Sequence, residues 1–391
     1  MSATMFCSAA LGLYLTTEYL LKLPIPGIDP TKRKLAQVFT RTTANVLDKK
    51  DKTLYLPRIT KLKKSKYGYT IDLTLPAGMS VNDIYNIEKE IAYSLGAGEI
   101  EIYQNGATIT LTAYKNKLPD YIPFKQPNTM PGIIPLYLGE SVRGPEVVDL
   151  VEMPHMLIGG ETKGGKSVLL NLIINALSHN PQVKIHCIDF AGVELGYLQQ
   201  YGIPLIDSHA GAIKKINELQ ALWRERKKLF LKVGARNIEE YNQHNKMEYH
   251  VLIVDELSIF RAKPGMDKDT KKALEYAMGN LCDLASLGRK YGIHLILCTQ
   301  VPNADVVPGL LKNNIPCSIA FPIKTVQGSI SILGHGEARH LPRIKGRCIY
   351  QRDGERQLQV AHLQQPEQHI GYIKQPQKAL IYDVSDPETM G

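Results

Sequence analysis

The sequence predicts an α/β chain: a mainly parallel sheet covered on both faces, preceded by a small α+β domain. Two patterns carry that expectation. From about residue 136, short apolar runs alternate with longer helical segments, as strands and helices do when a parallel sheet is buried on both faces. Before it, residues 67–75 alternate with a period of two, as a half-buried strand does, and helical spacing and a hairpin signal follow. With 391 residues, 44% of them hydrophobic and 22% charged, the chain can bury a sizeable core, which excludes a disordered or fibrous protein. At roughly 100–200 residues per domain, two or three domains are expected.

The N-terminal residues 1–23 are mostly apolar up to Thr17, then carry Glu18 before Leu20, Leu21 and Leu23. A spanning helix needs about 17–25 apolar residues, and Lys and Arg flank this stretch only on its C-terminal side. It reads as a candidate membrane anchor with the remainder inside the cell, or as an amphipathic helix packed on protein. The missing basic n-region argues against a cleaved signal peptide. Residues 24–53 read as a basic linker. Twelve Lys or Arg fall between residues 31 and 70 (Lys32 to Lys66) against Asp48 and Asp51, so this block accounts for the whole excess of 47 basic over 38 acidic residues and the remaining chain is about neutral. Such a block is a solvated surface, or a contact for nucleic acid or anionic headgroups.

Residues 54–117 form the expected small domain. Ser80 is placed to cap a helix over 81–95, in which Val81, Ile84, Ile87, Ile91 and Leu95 recur at helical spacing and Gly96 supplies the stop. Strands 99–103 and 107–113 follow, separated by Asn105-Gly106, a hairpin signal. The Pro-rich residues 118–135 read as a linker, 136–365 as the main domain, and 366–391 as a tail. Core strands are expected at 155–158, 183–188, 250–254, 294–299 and 317–321. The six cysteines are widely spaced, with no C-x-x-C pair, which favours a reduced cytosolic interior, at the inner face of the membrane if the N-terminus anchors there.

The chemistry follows the strands. After the first core strand, Gly160-Glu161-Thr162-Lys163-Gly164-Gly165-Lys166-Ser167 satisfies G-x-x-x-x-G-K-[ST] and opens an apolar helix. Glycines there let backbone N–H groups curl around a polyphosphate at a helix N-terminus; Lys166 would reach the β and γ phosphates of ATP and Ser167 would ligate Mg²⁺. The apolar run before Asp255-Glu256 supplies a second carboxylate strand. Asp255 would hold the metal shell and Glu256 would polarise the attacking water, although acids also open helices for reasons of capping alone. Gln300, at the end of a third strand, would sense the γ-phosphate, or is simply a turn residue. Arg289, on the preceding helix, would serve as a finger reaching a neighbour's nucleotide, or is a surface arginine.

These motifs in this order resemble the motor domain of the FtsK/SpoIIIE family of DNA-pumping ATPases. The likeness spans about residues 134–350: Pro135 to Gly139, Met153-Pro154-His155 ahead of the loop, Ile188-Asp189 with Glu194-Leu195, Ala235-Arg236-Asn237-Ile238, Gly292-Ile293-His294-Leu295 through Thr299-Gln300-Val301-Pro302, and Gly309 to Pro316. It implies a RecA-like P-loop NTPase fold, a homo-hexameric ring and double-stranded DNA passing through its channel as ATP is hydrolysed. Arg289 is then carried over as the trans-acting finger, Lys312 as a candidate phosphate contact, and the small domain as the one that stacks on the motor. Phe190-Ala191 and Ile330 depart from the family's Pro-Lys and Arg. Too few residues follow Tyr350 for a module that reads oriented DNA signals, so a translocase of a mobile element fits better, such as a coupling ATPase working with a relaxase or a conjugation channel. Two other functions stay open: a secretion-type ATPase moving protein substrates, and a nucleotide-gated adaptor, against which Glu256 argues.

Overall fold

The computed structural model describes residues 29–47, 53–352 and 354–371. The candidate anchor at residues 1–23, Lys49, Lys50 and Lys52 of the basic block, and residues 372–391 of the tail lie outside them. Among the described residues no helix is long and apolar enough to cross a membrane. Two compact units meet in the chain at Leu118 and Pro119.

The first unit begins with a correction. Residues expected as basic linker form helix α1 (Pro30–Arg41), opened by Asp29, whose carboxylate accepts the Thr31 N–H at 2.8 Å, and by Pro30 in the first turn. Thr31, Leu35 and Phe39 make a buried stripe at i, i+4 spacing, while Lys32, Arg33 and Lys34 occupy the other sides. Charge density hides that stripe when the sequence is read for composition. Strands β1 (Val46–Leu47) and β2 (Leu54–Tyr55) pair with each other, and β3 (Arg58–Lys64), β4 (Gly68–Thr74), β5 (Glu99–Asn105) and β6 (Thr108–Tyr114) form an antiparallel sheet in the order β3-β4-β6-β5. The helix expected over 81–95 is two helices, α2 (Val81–Tyr85) and α3 (Glu88–Leu95). At the break the Ile87 N–H turns to Ile84 O rather than one residue further back, yet Ile84, Ile87, Ile91 and Leu95 all still reach the core. Gly96 ends α3 in the left-handed region at φ 65°, and Gly106 turns the β5–β6 hairpin at φ 59°.

The second unit is built on one ten-stranded sheet. Its strands are β7 (Pro135–Ser141), β8 (Gly144–Asp149), β9 (His155–Gly159), β10 (Val183–Ile188), β11 (Leu205–Ile206), β12 (Tyr249–Val254), β13 (Ile293–Thr299), β14 (Cys317–Ala320), β15 (Arg347–Arg352) and β16 (Gly354–Val360). Their spatial order is β11-β10-β12-β13-β9-β14-β15-β16-β7-β8, parallel from β11 to β14 and antiparallel beyond. Both faces are covered: Met156 and Ile158 of β9 join one core with helix α4 (Lys166–Ser178), and Leu157 joins another with α5 (His209–Val233) and α7 (Lys268–Leu287). The short helix between them, α6 (Ile238–Tyr241), buries Ile238. Residues 119–134 carry no regular element, but Ile122, Phe124 and Met130 pack on the first of these cores. The start of the tail packs too, since the Gly371 N–H donates to Ser178 Oγ at 2.9 Å.

Burial of four imidazoles ties the stability of this unit to pH. His155 and His294 are fully buried on neighbouring strands, and burial holds His155 well below the usual imidazole range and His294 at about 4. His186 and His250 touch at 3.0 Å, and burial lowers them to about 4 and about 3. These side chains fold neutral, whereas the unfolded chain takes protons near pH 6.5. The stability they contribute is complete above that pH and is lost as the pH falls toward 4. Urea denaturation should show about 2 kcal/mol lost per fully buried histidine between pH 6.5 and 5, and His294→Gln should flatten the slope by about one proton. An unfolding free energy that is level across this range would refute it.

Candidate nucleotide site

β9 runs between β13 and β14, with Gly159 opposite Thr299 on one side and Ala320 on the other. The loop that follows is shaped by what surrounds it. A Cβ on Gly160 would lie 2.5 Å from Phe321 Cβ, and one on Gly165 would lie 2.6 Å from the Gly346 nitrogen. Both glycines also hold positive φ, 158° and 123°, and Lys163 stands in the left-handed region at 67°, a strained position for a side-chain-bearing residue. Gly346 N–H donates to Gly164 O at 2.8 Å, which seats the loop against the turn before β15.

The loop residues divide into two groups. Glu161 braces the outer wall: its carboxylate accepts the Lys324 N–H at 2.8 Å and pairs with the Lys324 ammonium at 3.3 Å, while its own N–H turns to Pro322 O. Thr162 and Lys163 are exposed at the apex. Lys166 and Ser167 open α4, which has no side-chain cap, so the N–H groups of its first turn face the loop as an anion site would require.

Lys166 is 5% exposed and reaches across to β12. Its ammonium donates to the Asp255 carbonyl at 2.7 Å and pairs with the Asp255 carboxylate at 3.1 Å. Burial raises the Asp255 pKa above the usual carboxylate value, and the Lys166 charge opposes that shift. Glu256 follows at the strand's end, where three donors hold it: Ser258 N–H (3.0 Å) and Thr299 Oγ1 (2.9 Å) on one oxygen, Gln300 N–H (2.8 Å) on the other. It therefore caps the short turn Leu257–Phe260, as acids at such positions do, and also lies beside β13. Gln300 is adjacent, because the Gly160 N–H donates to Thr299 O.

The structure thus brings Lys166, Ser167, Asp255, Glu256 and Gln300 to the C-terminal ends of three neighbouring strands. Asp189 ends a fourth; it is buried and accepts the Ala191, Gly192 and Leu195 N–H groups, which folds its own loop. Arg289 is elsewhere. It is exposed on the turn Gly288–Tyr291, after α7 has ended at Leu287, and the seven-residue β13 separates it from Gln300 by roughly 20 Å. It has no part in its own chain's site. Lys312 is tied to the C-terminal end of helix α8 (Val326–Leu333), donating to Ile330 O, which accounts for it as a structural contact rather than a free cation; burial lowers its pKa. Sequence reasoning missed Phe321, Lys324 and Gly346, which shape the loop, and gave no role to Thr299, which holds Glu256. No motif marks the first three, since each comes from a segment distant in the chain.

Residues 123–260, which contain both the phosphate loop and the carboxylate strand, match the FtsK/SpoIIIE family. Residues 123–260 form an FtsK/SpoIIIE-family domain. Among curated proteins similar to it, the DNA translocase FtsK of Staphylococcus epidermidis is 30% identical across 85% of this chain and 44% of its own length, and that of Treponema pallidum is 28% identical across 84% and 44%. The chain spans less than half of these relatives. Among solved structures, the pCW3 conjugation coupling protein TcpA shares the fold at a TM-score of 0.65 and 24% identity, over 87% of this chain and 99% of that one. EssC (ATPases 2 and 3) of Geobacillus thermodenitrificans does so at 0.52 and 17%, over 63% and 47%. The second unit thus has the α/β, RecA-like P-loop fold.

Proposed function

We propose that this chain hydrolyses ATP to move double-stranded DNA through a homo-hexameric ring, in DNA transfer by a mobile element. The observation that carries the reading is the convergence of Lys166, Asp255, Glu256 and Gln300 on one edge of the sheet, where a phosphate-shaped loop already stands. The relatives named DNA translocases and the likeness to a conjugation coupling protein support the choice of substrate.

The residues fit ATP and Mg²⁺. The loop is a cradle that a Cβ at Gly160 or Gly165 would fill, and Ser167 with Asp255 offers the hard oxygen donors that Mg²⁺ takes. Held by Ser167 and Asp255, Mg²⁺ would supply neutralisation of the phosphate charge. Lys166 adds the cation on the other side, exchanging its pairing with Asp255 for phosphate oxygens. Glu256 orients a water and accepts its proton as the water oxygen bonds to γ-phosphorus and ADP leaves. Gln300 reads the γ-phosphate and passes its loss to the loop after β13. Arg289, remote from its own site, completes a neighbour's.

The exposed ammonium groups of Lys61 and Lys63 on β3 offer further phosphate contacts. Phosphate neutralisation makes DNA binding salt-dependent, so the purified chain should hydrolyse ATP faster with linear duplex DNA, and the stimulation should fall steeply between 50 and 200 mM salt, about the range where phosphate contacts are screened. Turnover indifferent to DNA but raised by a secreted protein would replace this reading with the secretion-type one.

A further inference from the structure

The carboxylate assigned as the base is not turned to open solvent. Both of its oxygens are occupied from β13 and its following loop: Oε1 by the Thr299 hydroxyl at 2.9 Å and Oε2 by the Gln300 N–H at 2.8 Å. Thr299 is fully buried, and its hydroxyl oxygen also accepts the Val301 N–H at 3.0 Å. One oxygen atom therefore joins Glu256 to Val301, which is 51% exposed at the start of the loop. Farther along, Asp305 pairs at 3.0 Å with Arg261, just beyond the turn that Glu256 caps. Charge-assisted hydrogen bonds to a carboxylate fix its direction.

We infer that Thr299 is a positioning residue that restrains Glu256, and that movement of the loop beginning at Gln300, when duplex DNA presses on it, releases the carboxylate to its water. This deepens the proposed function and rests on it for the identity of the trigger. The restraint itself stands on the three contacts alone. Because Val301 and Gln300 donate through consecutive backbone groups, a shift of the loop cannot leave Glu256 unaffected. Hydrolysis would then be slow when the loop is at rest and fast when it is engaged, which spares ATP in the absence of substrate.

The test compares steady-state ATP hydrolysis by the full chain, with and without linear duplex DNA, for wild type, Thr299→Val, Thr299→Ala and Thr299→Ser. Valine keeps the volume and removes the hydroxyl. Thr299→Val should raise DNA-free kcat on the order of tenfold, the worth of one charge-assisted hydrogen bond, with KM for ATP unchanged. Its ratio of DNA-stimulated to DNA-free turnover should fall toward one, and Thr299→Ser should behave as wild type. Thr299→Ala gives the same comparison should valine misfold. Lower DNA-free kcat in these variants with an undiminished stimulation ratio would overturn the inference, leaving Thr299 as an aligner of the base. A wild-type chain that turns over ATP equally with and without DNA removes the motor reading instead; the DNA-free comparison then decides the restraint by itself.

Discussion

Replacing Glu256 with Gln is expected to lower kcat for ATP hydrolysis by roughly 10²–10⁴-fold while ATP affinity stays near wild type. The reason is geometric. Glu256 lies beside the site at the end of β12, held by Ser258, Thr299 and Gln300, and makes none of the contacts assigned to the phosphates. Glutamine keeps the shape but cannot take the proton of the attacking water. It also places an NH₂ group where one backbone donor now finds an oxygen, so a stability loss of about 1–2 kcal/mol should accompany the change. Binding of a fluorescent ATP analogue and single-turnover hydrolysis separate the two effects. A variant that still hydrolyses at the wild-type rate would remove Glu256 from the chemistry and leave it as the cap of the Leu257–Phe260 turn.

Lys166→Ala should do the opposite to binding. The variant lacks the cation for the β and γ phosphates, and ATP affinity should fall by about 30–1000-fold, the range for a lost charge-assisted contact with its unpaired partner. It should also unfold more easily, because Asp255 is buried and loses the partner 3.1 Å away. The sign with pH follows from Asp255. Its folded pKa is already raised by burial, and two of the influences that lower it come from Lys166, so in the variant it rises further. A group with a raised folded pKa is stabilising when protonated and costs stability as the pH climbs through that value. The stability gap between wild type and Lys166→Ala should therefore widen from acid to neutral pH. Equal denaturation midpoints across that range would show that the pair contributes nothing.

The candidate nucleotide residues were legible because their pattern is local. Gly160, Gly164, Gly165 and Lys166 lie within one turn of chain, and the acid pair follows an apolar run long enough to be a strand buried on both faces. The interior strands of the parallel half were legible for the same reason. The antiparallel half was not: β16 pairs with β7 through Gln359 and Glu140, more than two hundred residues apart, and β16 lacks the apolar run of a buried strand. Helix α1 was hidden by Lys32, Arg33 and Lys34, although Leu35 and Phe39 show the spacing once the charges are set aside.

By itself the sequence determined which residues could cradle a phosphate and which could activate water, since those capacities belong to side-chain type and short spacing. Only the tertiary structure decided that Phe321 and Gly346 force glycine at two loop positions, that Arg289 stands at the far end of β13, and that Thr299 holds Glu256. Each of these depends on strands from separate parts of the chain lying side by side. Hydrogen bonds and close contacts of that kind act over a few ångströms of space, whatever the distance along the sequence.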